Sequence, residues 1–492
     1  MGRGIPGAGR GERRAPGTGT GEGGTGEGGT GPHRPPGARS RRAPRDPRVP
    51  GSPRAVPGRE DPRGIRGDVA DPGLAAAGSA RIEWAEREMP VARLLRQRFT
   101  AEQPFAGLKI AACLHVTAET AVFLRALRCG GARVSLAASN PLSTQDEVAA
   151  ALAAREEITV FARAGVDRRT YYRHIEQALG AWAGQGGGGG GPDLVIDDGG
   201  DLVNTLHTQQ ASLLPGVRGG CESTATGVIR LRRMAAEGAL AFPVIAANDT
   251  PAKRLVDGTC GTGQSVIDAV LRSTNTLLAG KTVVVAGFGA CGRGVAERAR
   301  GLGAEVIVTE VNPVRALEAV LHGFRVLPMA EAAQAGQVFV TATGSAGVIG
   351  AAHMARMPDG AILANAGHFD VEIDIPELES LAVAVRRGVR PHVDSYEMAD
   401  GRRLLLLAEG RVVNLVAAEG HPAQVMDLSF GVQALALAWL VGSTATLPPD
   451  VHAVPAAIDA EAARLELAAI GTRIDALTPA QSAYLDSWRL GS

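Results

Sequence analysis

KTVVVAGFGACGRGVAERARGLGAEVIVTEVNP, residues 281–313, decides the fold. An apolar, β-branched run is followed by Gly287-x-Gly289-x-x-Gly292, a helical stretch, a second apolar run and an acid, Glu310. This is the order of strand, tight turn, helix and strand found in a dinucleotide-binding βαβ unit. Gly287 permits the turn, Gly289 lets backbone approach a pyrophosphate, and Gly292 lets the helix pack on the strand. Free N–H groups and a partial positive charge at the helix start then face the phosphates. Glu310 falls 18 residues after Gly292, at the end of the next strand. A carboxylate there accepts hydrogen bonds from ribose hydroxyls and repels a 2′-phosphate, so the cofactor expected is NAD rather than NADP. A GxGxxG turn alone is a weak signal; its flanking strands, helix and acid give this one weight.

Outward from this unit the alternation continues. LKIAACLHV, ARVSLAA, ITVFAR, DLVIDDGGD and ALAFPVIAAND read as strands between helical patterns such as IEWAEREM (Ile82–Met89) and TAVFLRALRCG. Such alternation with short polar turns predicts an α/β protein with two doubly wound, Rossmann-like domains and a helical C-terminal tail. One sheet is expected from about residue 105 to 250 and the other from about 280 to 415. The domain reading is a substrate-binding domain over 71–264, an NAD-binding domain over 265–419, a return to the first domain over 420–450, and a helical tail over 451–492. Residues 1–70 are a Gly/Arg/Pro mixture that buries too little apolar surface to order, and Gly186–Gly191 reads as a flexible loop insertion.

The 492 residues suffice for two or three buried cores, and 51 basic against 51 acidic side chains give no electrostatic reason for a nucleic-acid or membrane partner. No run approaches the roughly 18 apolar residues of a membrane span, and the N-terminus has no apolar signal core. The cysteines (Cys113, Cys129, Cys221, Cys260 and Cys291) form no CxxC pair; an odd number suits reduced thiols in the cytoplasm, and no metal-ligand cluster is visible.

Polar clusters fall at expected strand ends, where α/β sheets place ligands. They are Cys113–Glu119 (with His115 and Thr117), Asp197–Asp201, Asn248-Asp249, Lys253 with Asp257, Asn365–His368 and Asn414–His421. Each has an ordinary structural explanation: a hydrogen-bonded histidine, a capped turn, a helical salt bridge worth a few tenths of a kcal/mol. Lys253 stands out by scarcity, since Lys109, Lys253 and Lys281 are the only lysines in an arginine-rich chain. Arginine stays protonated, whereas a lysine amine can act as a base, which oxidation of a secondary alcohol beside NAD requires.

With these residues in place, the chain after Asp71 resembles the adenosylhomocysteinase family. WAEREMP, CLHVTAET, NPLSTQDEVAAA, DDGGDL, LLPGVRGGCE, FPVIAANDTPAK, GTGQS, NAGHFDVEID, LLAEGRVVNL and EGHPAQVMDLSF carry the resemblance along with the NAD fingerprint. The ending YLDSWRLGS is similar to the short-tailed subgroup. The resemblance implies reversible hydrolysis of S-adenosyl-L-homocysteine to adenosine and homocysteine, by 3′-oxidation on bound NAD and 4′,5′-elimination, in a homo-oligomer that is usually a tetramer. It implies Lys253 as base at the 3′-hydroxyl, held with Asp257, and His115 and Asp198 as proton carriers at C4′ and C5′. Thr117 and Glu119 would read adenine, and His368 and His421 would line the closed site. Thr224, Thr226, Gly287, Gly289, Gly292, Glu310, Asn365 and Asn414 would hold NAD.

Three positions depart from the family pattern: Ser223 replaces an acid that contacts the sugar, Ala225 a threonine, and Gly258 an asparagine. They leave open a paralogue that uses the same cycle to dehydrate a modified adenine nucleoside, as in nucleoside-antibiotic pathways. A non-catalytic NAD-binding regulator is the third reading; retention of Lys253, Asp198, His115 and His368 argues against it.

Overall fold

The computed structural model describes residues 66–183, 190–443 and 447–489. The proposed disordered extension therefore lies outside the described residues as far as position 65, as does most of the Gly186–Gly191 run.

Two eight-stranded sheets organise the described chain. The first runs Gly67–Val69, Thr159–Ala162, Arg133–Ala138, Lys109–Leu114, Leu194–Asp197, Gly219–Glu222, Val244–Ala246 and Val451–Ala453, every neighbouring pair parallel. A parallel sheet carries helices on both faces, so its strands must be apolar on both. Ile110, Ala112 and Leu114 enter one core while Ala111 and Cys113 enter the opposite one. Both outer strands correct the sequence reading. Gly67–Val69 joins the sheet within the stretch expected to be disordered, and Val451–Ala453 is a strand at the head of the expected helical tail. Three-residue edge strands are too short to show a two-residue alternation, and in each case the pairing partner supplies the order. Beyond Val451–Ala453 the tail is helical over Ala456–Ala469 and Pro479–Leu485.

The second sheet runs Arg325–Val326, Glu305–Thr309, Thr282–Ala286, Val338–Thr341, Ala361–Asn365, Arg403–Leu407, Val393–Met398 and Ala382–Arg390. Its first six strands are parallel, in the 3-2-1-4-5-6 order of a dinucleotide-binding sheet, and the last two are antiparallel. Val283 and Val285 face one core and Val284 the other.

After this sheet the chain crosses back. Helix Ala423–Ser443 packs into the core of the first sheet, with Phe430 stacked on Phe123 at 4.7 Å between ring centroids. Among the described residues this is the one helix long and apolar enough to cross a membrane, although Asp427 and Gln433 interrupt its apolar sequence. Its most apolar window is 72% buried inside the protein, as in a core helix. Asp427 has a specific task there. Its two oxygens accept the N–H groups of Val91 and Ala92, each at 2.7 Å, and so satisfy the start of helix Pro90–Glu102 from another helix. Burial pushes the Asp427 carboxyl up to about 7 against the pull of those two donors. Asp427→Ala leaves both donors buried without acceptors and is expected to cost about 2–4 kcal/mol, read as a lower urea midpoint. An unchanged midpoint would mean that water replaces the carboxylate.

Candidate active site

Open α/β sheets bind ligands where the strand order reverses. In the first sheet that point lies between Lys109–Leu114 and Leu194–Asp197, and His115 and Asp198 are the residues that follow those strands. In the second it lies between Thr282–Ala286 and Val338–Thr341, and Gly287 follows the former. Both points open on one cavity of about 820 Å³, with His115, Asp198 and Lys253 on one side and Gly289, His368 and Asn414 on the other.

Lys253 ends the short helix Pro251–Lys253, capped by Thr250, and continues into a π-helical segment, Arg254–Thr262. Such wide turns recur at functional sites. This is no solvated surface pair: Lys253 is 5% exposed, and its Nζ donates to Asp257 Oδ2 and, at 2.9 Å, to Ser429 Oγ. Asp257 Oδ1 lies 2.7 Å from His421 Nδ1, and His421 Nε2 lies 3.1 Å from Thr262 Oγ. Burial alone would raise the Asp257 carboxyl, but the Lys253 charge and then His421 hold it far below the usual carboxylate range. Asp257 is thus a fixed anion that orients two neighbours.

His115 Nδ1 is 2.6 Å from Ser143 Oγ, whose own hydroxyl donates to Asn140 O at 3.1 Å. On the other side of the ring Nε2 lies 3.3 Å from Asp198 Oδ2, so a hydroxyl and a carboxylate hold the imidazole between them. Burial, helped by His368 and His421 and opposed by Asp198, brings His115 down to about 4, so the ring is neutral near pH 7. The His368 ring lies 5.7 Å from that of His115, across the cavity from the second sheet. His115, Asp198 and His368 offer ligand atoms within 4.8 Å of one another, a grouping absent from the sequence reading, and a proton-handling set accounts for it. Thr117 caps helix Ala118–Cys129, and it lines the cavity with Glu119, whose carboxyl burial pushes up.

The second sheet supplies a nucleotide cradle. Gly287 has φ +94°, and a Cβ on Gly292 would sit 1.9 Å from Gly287 O, so neither position accepts a side chain. Gly289 meets only Arg315 Nη1 at 3.7 Å, which leaves its face open to a ligand. Beside the cradle, Glu310 accepts the N–H groups of Phe288, Val311 and Asn312 at 2.7–2.8 Å. Partial burial works to raise its carboxyl, but the N–H groups of Asn312, Phe288 and Val311 hold it below the ordinary value. Asn414 donates to Ser265 Oγ at 3.0 Å while its buried Oδ1 has no partner, an acceptor waiting for a donor such as a nicotinamide carboxamide. Thr224 and Thr226 line the same cavity. Asn365 itself does not line the cavity, although Ala366 and His368 do. It is fully buried, its amide donating to Gly367, Phe369 and Gly410 carbonyls and its oxygen accepting from Thr341 and Gly367. It shapes the loop that carries His368.

The sequence pattern of S-adenosyl-L-homocysteine hydrolase matches residues 67–215, and that of the family's NAD-binding domain matches residues 259–420. The adenosylhomocysteinase of Aquifex aeolicus is 56% identical over 86% of this chain and 99% of its own length. Those of Aeropyrum pernix and Thermosynechococcus vestitus are 55% and 52% identical over 86% and 87% of this chain, and 99% and 97% of theirs. The chain belongs to the S-adenosyl-L-homocysteine hydrolase family. It is an NAD-dependent enzyme, and the residues of the cradle fit that cofactor.

Within this hydrolase family the three departures separate physically. Ser223 and Ala225 line the cavity. Gly258 does too, but a Cβ there would stand 2.7 Å from Ala290 Cβ, so close packing of the π-helical segment on helix Ala290–Gly301 explains the glycine. Sequence reasoning passed over Ser143, Ser429 and Thr262, the hydroxyl partners of His115, Lys253 and His421. Ser143 and Ser429 lie inside stretches quoted for the resemblance, yet nothing local marks a serine as the partner of a residue 28 or 176 positions away.

Proposed function

We propose that the chain reversibly hydrolyses S-adenosyl-L-homocysteine to adenosine and homocysteine. The supporting observation is that two acid–base sets, Lys253–Asp257–His421 and His115–Asp198–His368, meet in one cavity beside the nucleotide cradle. The first sheet with the return over 420–450 takes the substrate, and the second takes the cofactor. When bound, NAD accepts hydride from the 3′-carbon of the sugar and later returns it. Lys253, oriented by Asp257 and Ser429, takes the 3′-hydroxyl proton as the neutral amine and becomes the ammonium that pairs with Asp257. The 3′-ketone acidifies C4′–H; His115 with Asp198 removes that proton, and the 5′-thiolate leaves and is protonated as homocysteine. Water then adds at C5′, a proton returns to C4′, and reduction of the ketone yields adenosine. Thr117 and Glu119 read the adenine. His368 and His421 close the site over the sugar.

Five unpaired cysteines support a cytoplasmic setting, and family resemblance supports a homotetramer acting in one-carbon metabolism. The test is product analysis by mass spectrometry with S-adenosyl-L-homocysteine and, separately, a panel of adenine nucleosides. Adenosine plus homocysteine is expected; a dehydrated nucleoside as the only product overturns the reading.

Ser223 is expected to limit this activity. Its hydroxyl, buried at the cavity wall, donates to Asp197 O at 3.2 Å and lacks the reach of the carboxylate that the family places there. Ser223→Glu should raise kcat/KM for S-adenosyl-L-homocysteine about tenfold, the lower end of a charge-assisted hydrogen bond. No gain would show that the sugar is held without that residue.

A further inference from the structure

The turn Asp198–Asp201 is held from two sides. From beneath, Glu222 Oε1 accepts the Gly199 N–H at 3.0 Å, along with the Thr224 N–H and hydroxyl. From outside, Arg230 Nη1, on helix Ala225–Ala236, donates to Gly199 O and, at 2.8 Å, to Asp201 Oδ1. Both peptide groups of Gly199 are thus fixed, and the residue before it is Asp198, the partner of His115. Asp201 is further steadied by the Tyr171 hydroxyl at 3.0 Å.

The same turn is where the loop after strand Ala361–Asn365 of the second sheet comes down. Gly199 has φ +113°, and a Cβ there would lie 2.6 Å from His368 Nε2. The Arg230 guanidinium also stands 5.7 Å from the centre of the Phe369 ring, within cation–π reach. One cation therefore touches the turn that orients Asp198 and the loop that carries His368. A surface salt bridge alone would explain the contact with Asp201 and be worth under about 1 kcal/mol. It would not explain a donor aimed at the carbonyl of a left-handed glycine with an aromatic ring from the other sheet's loop against it.

We propose that Arg230 is a positioning residue that latches the His368–Phe369 loop onto the Asp198 turn, so that the set acting at C4′ is assembled only when the two sheets' loops are drawn together. This rests on the hydrolase reading given above. It separates the two halves of the reaction: Lys253, Asp257 and Ser429 make no contact with the latch, whereas His115, Asp198 and His368 depend on it.

The test follows both halves in the NAD-loaded enzyme. Arg230→Met keeps much of the bulk and removes the charge and the donors. It is expected to form enzyme-bound NADH at close to the wild-type rate, while exchange of the C4′ hydrogen with solvent deuterium and steady-state turnover fall about tenfold, as for a small misplacement of reacting groups. Arg230→Lys, which keeps a cation but not the fork, should recover part of the exchange rate. Phe369→Leu, which leaves the contacts with Gly199 and Asp201 in place, should show the same split, and it carries the test if the methionine variant does not fold. The proposal is overturned if NADH formation and exchange fall by the same factor, if neither changes, or if the lysine variant folds and exchanges no faster than the methionine one. Wild-type enzyme that forms no NADH from S-adenosyl-L-homocysteine instead sinks the hydrolase reading, and this proposal with it.

Discussion

Lys253→Arg is expected to slow 3′-oxidation by about 10²–10⁴-fold, the usual contribution of a general base, while NAD stays bound. The substitution preserves positive charge and hydrogen-bond donors, so the Asp257 carboxylate keeps a cationic partner. What it removes is an amine nitrogen that can serve as a base, which a guanidinium cannot. It also puts a planar fork where the structure holds a single nitrogen between Asp257 and Ser429. The measurement is the near-ultraviolet absorbance of enzyme-bound NADH after mixing with nucleoside, beside the NAD content of the denatured protein. A wild-type rate of NADH formation would reduce Lys253 to an ion-pair partner.

Gly292→Val should weaken NAD binding about a hundredfold, the upper range for one lost charge-assisted hydrogen bond. The added Cβ would begin 1.9 Å from Gly287 O, an overlap between backbone and side chain that no rotamer relieves. Helix Ala290–Gly301 must move off the strand, and the N–H groups at its start leave the phosphate position. Equilibrium dialysis of NAD against the variant reads the effect, with circular dichroism to verify folding. Retention of NAD at the wild-type level would show that the phosphates are held elsewhere.

How much was legible in the sequence follows from how local each signal is. The cradle, Glu310 and their helix occupy one continuous stretch with fixed spacing, so strand, turn and acid could be placed without a fold. Lys253 could be singled out by scarcity, and His115 and Asp198 by their place after strands. The partners that make these groups function were not legible. Ser429 reaches Lys253 across 176 positions, and Asp427 caps a helix start 336 positions away. A residue type common in any surface turn gives no hint of such a contact. Asn365 hid a structural part of its own: its amide donates to three carbonyls that shape the loop to His368, which the motif around it does not announce. Val451–Ala453 has no pattern of its own and becomes a strand because the edge at Val244–Ala246 is open to it.

That last strand, with helix Ala423–Ser443, bears on the order in which a ribosome can finish the molecule. The segment that opens the first sheet emerges early, yet the helix filling its core, the carboxylate capping helix Pro90–Glu102 and the final edge strand all come after the second sheet is complete. At about 5–20 residues per second, the 336 positions between Val91 and Asp427 amount to roughly 20–70 s of synthesis. Through that interval the apolar face that will receive Phe430 lacks this partner, and by its end every strand from Thr282 to Leu407 has been delivered. The half of the enzyme that begins first is the half that closes last, and its exposed face is where a chaperone would find the growing chain.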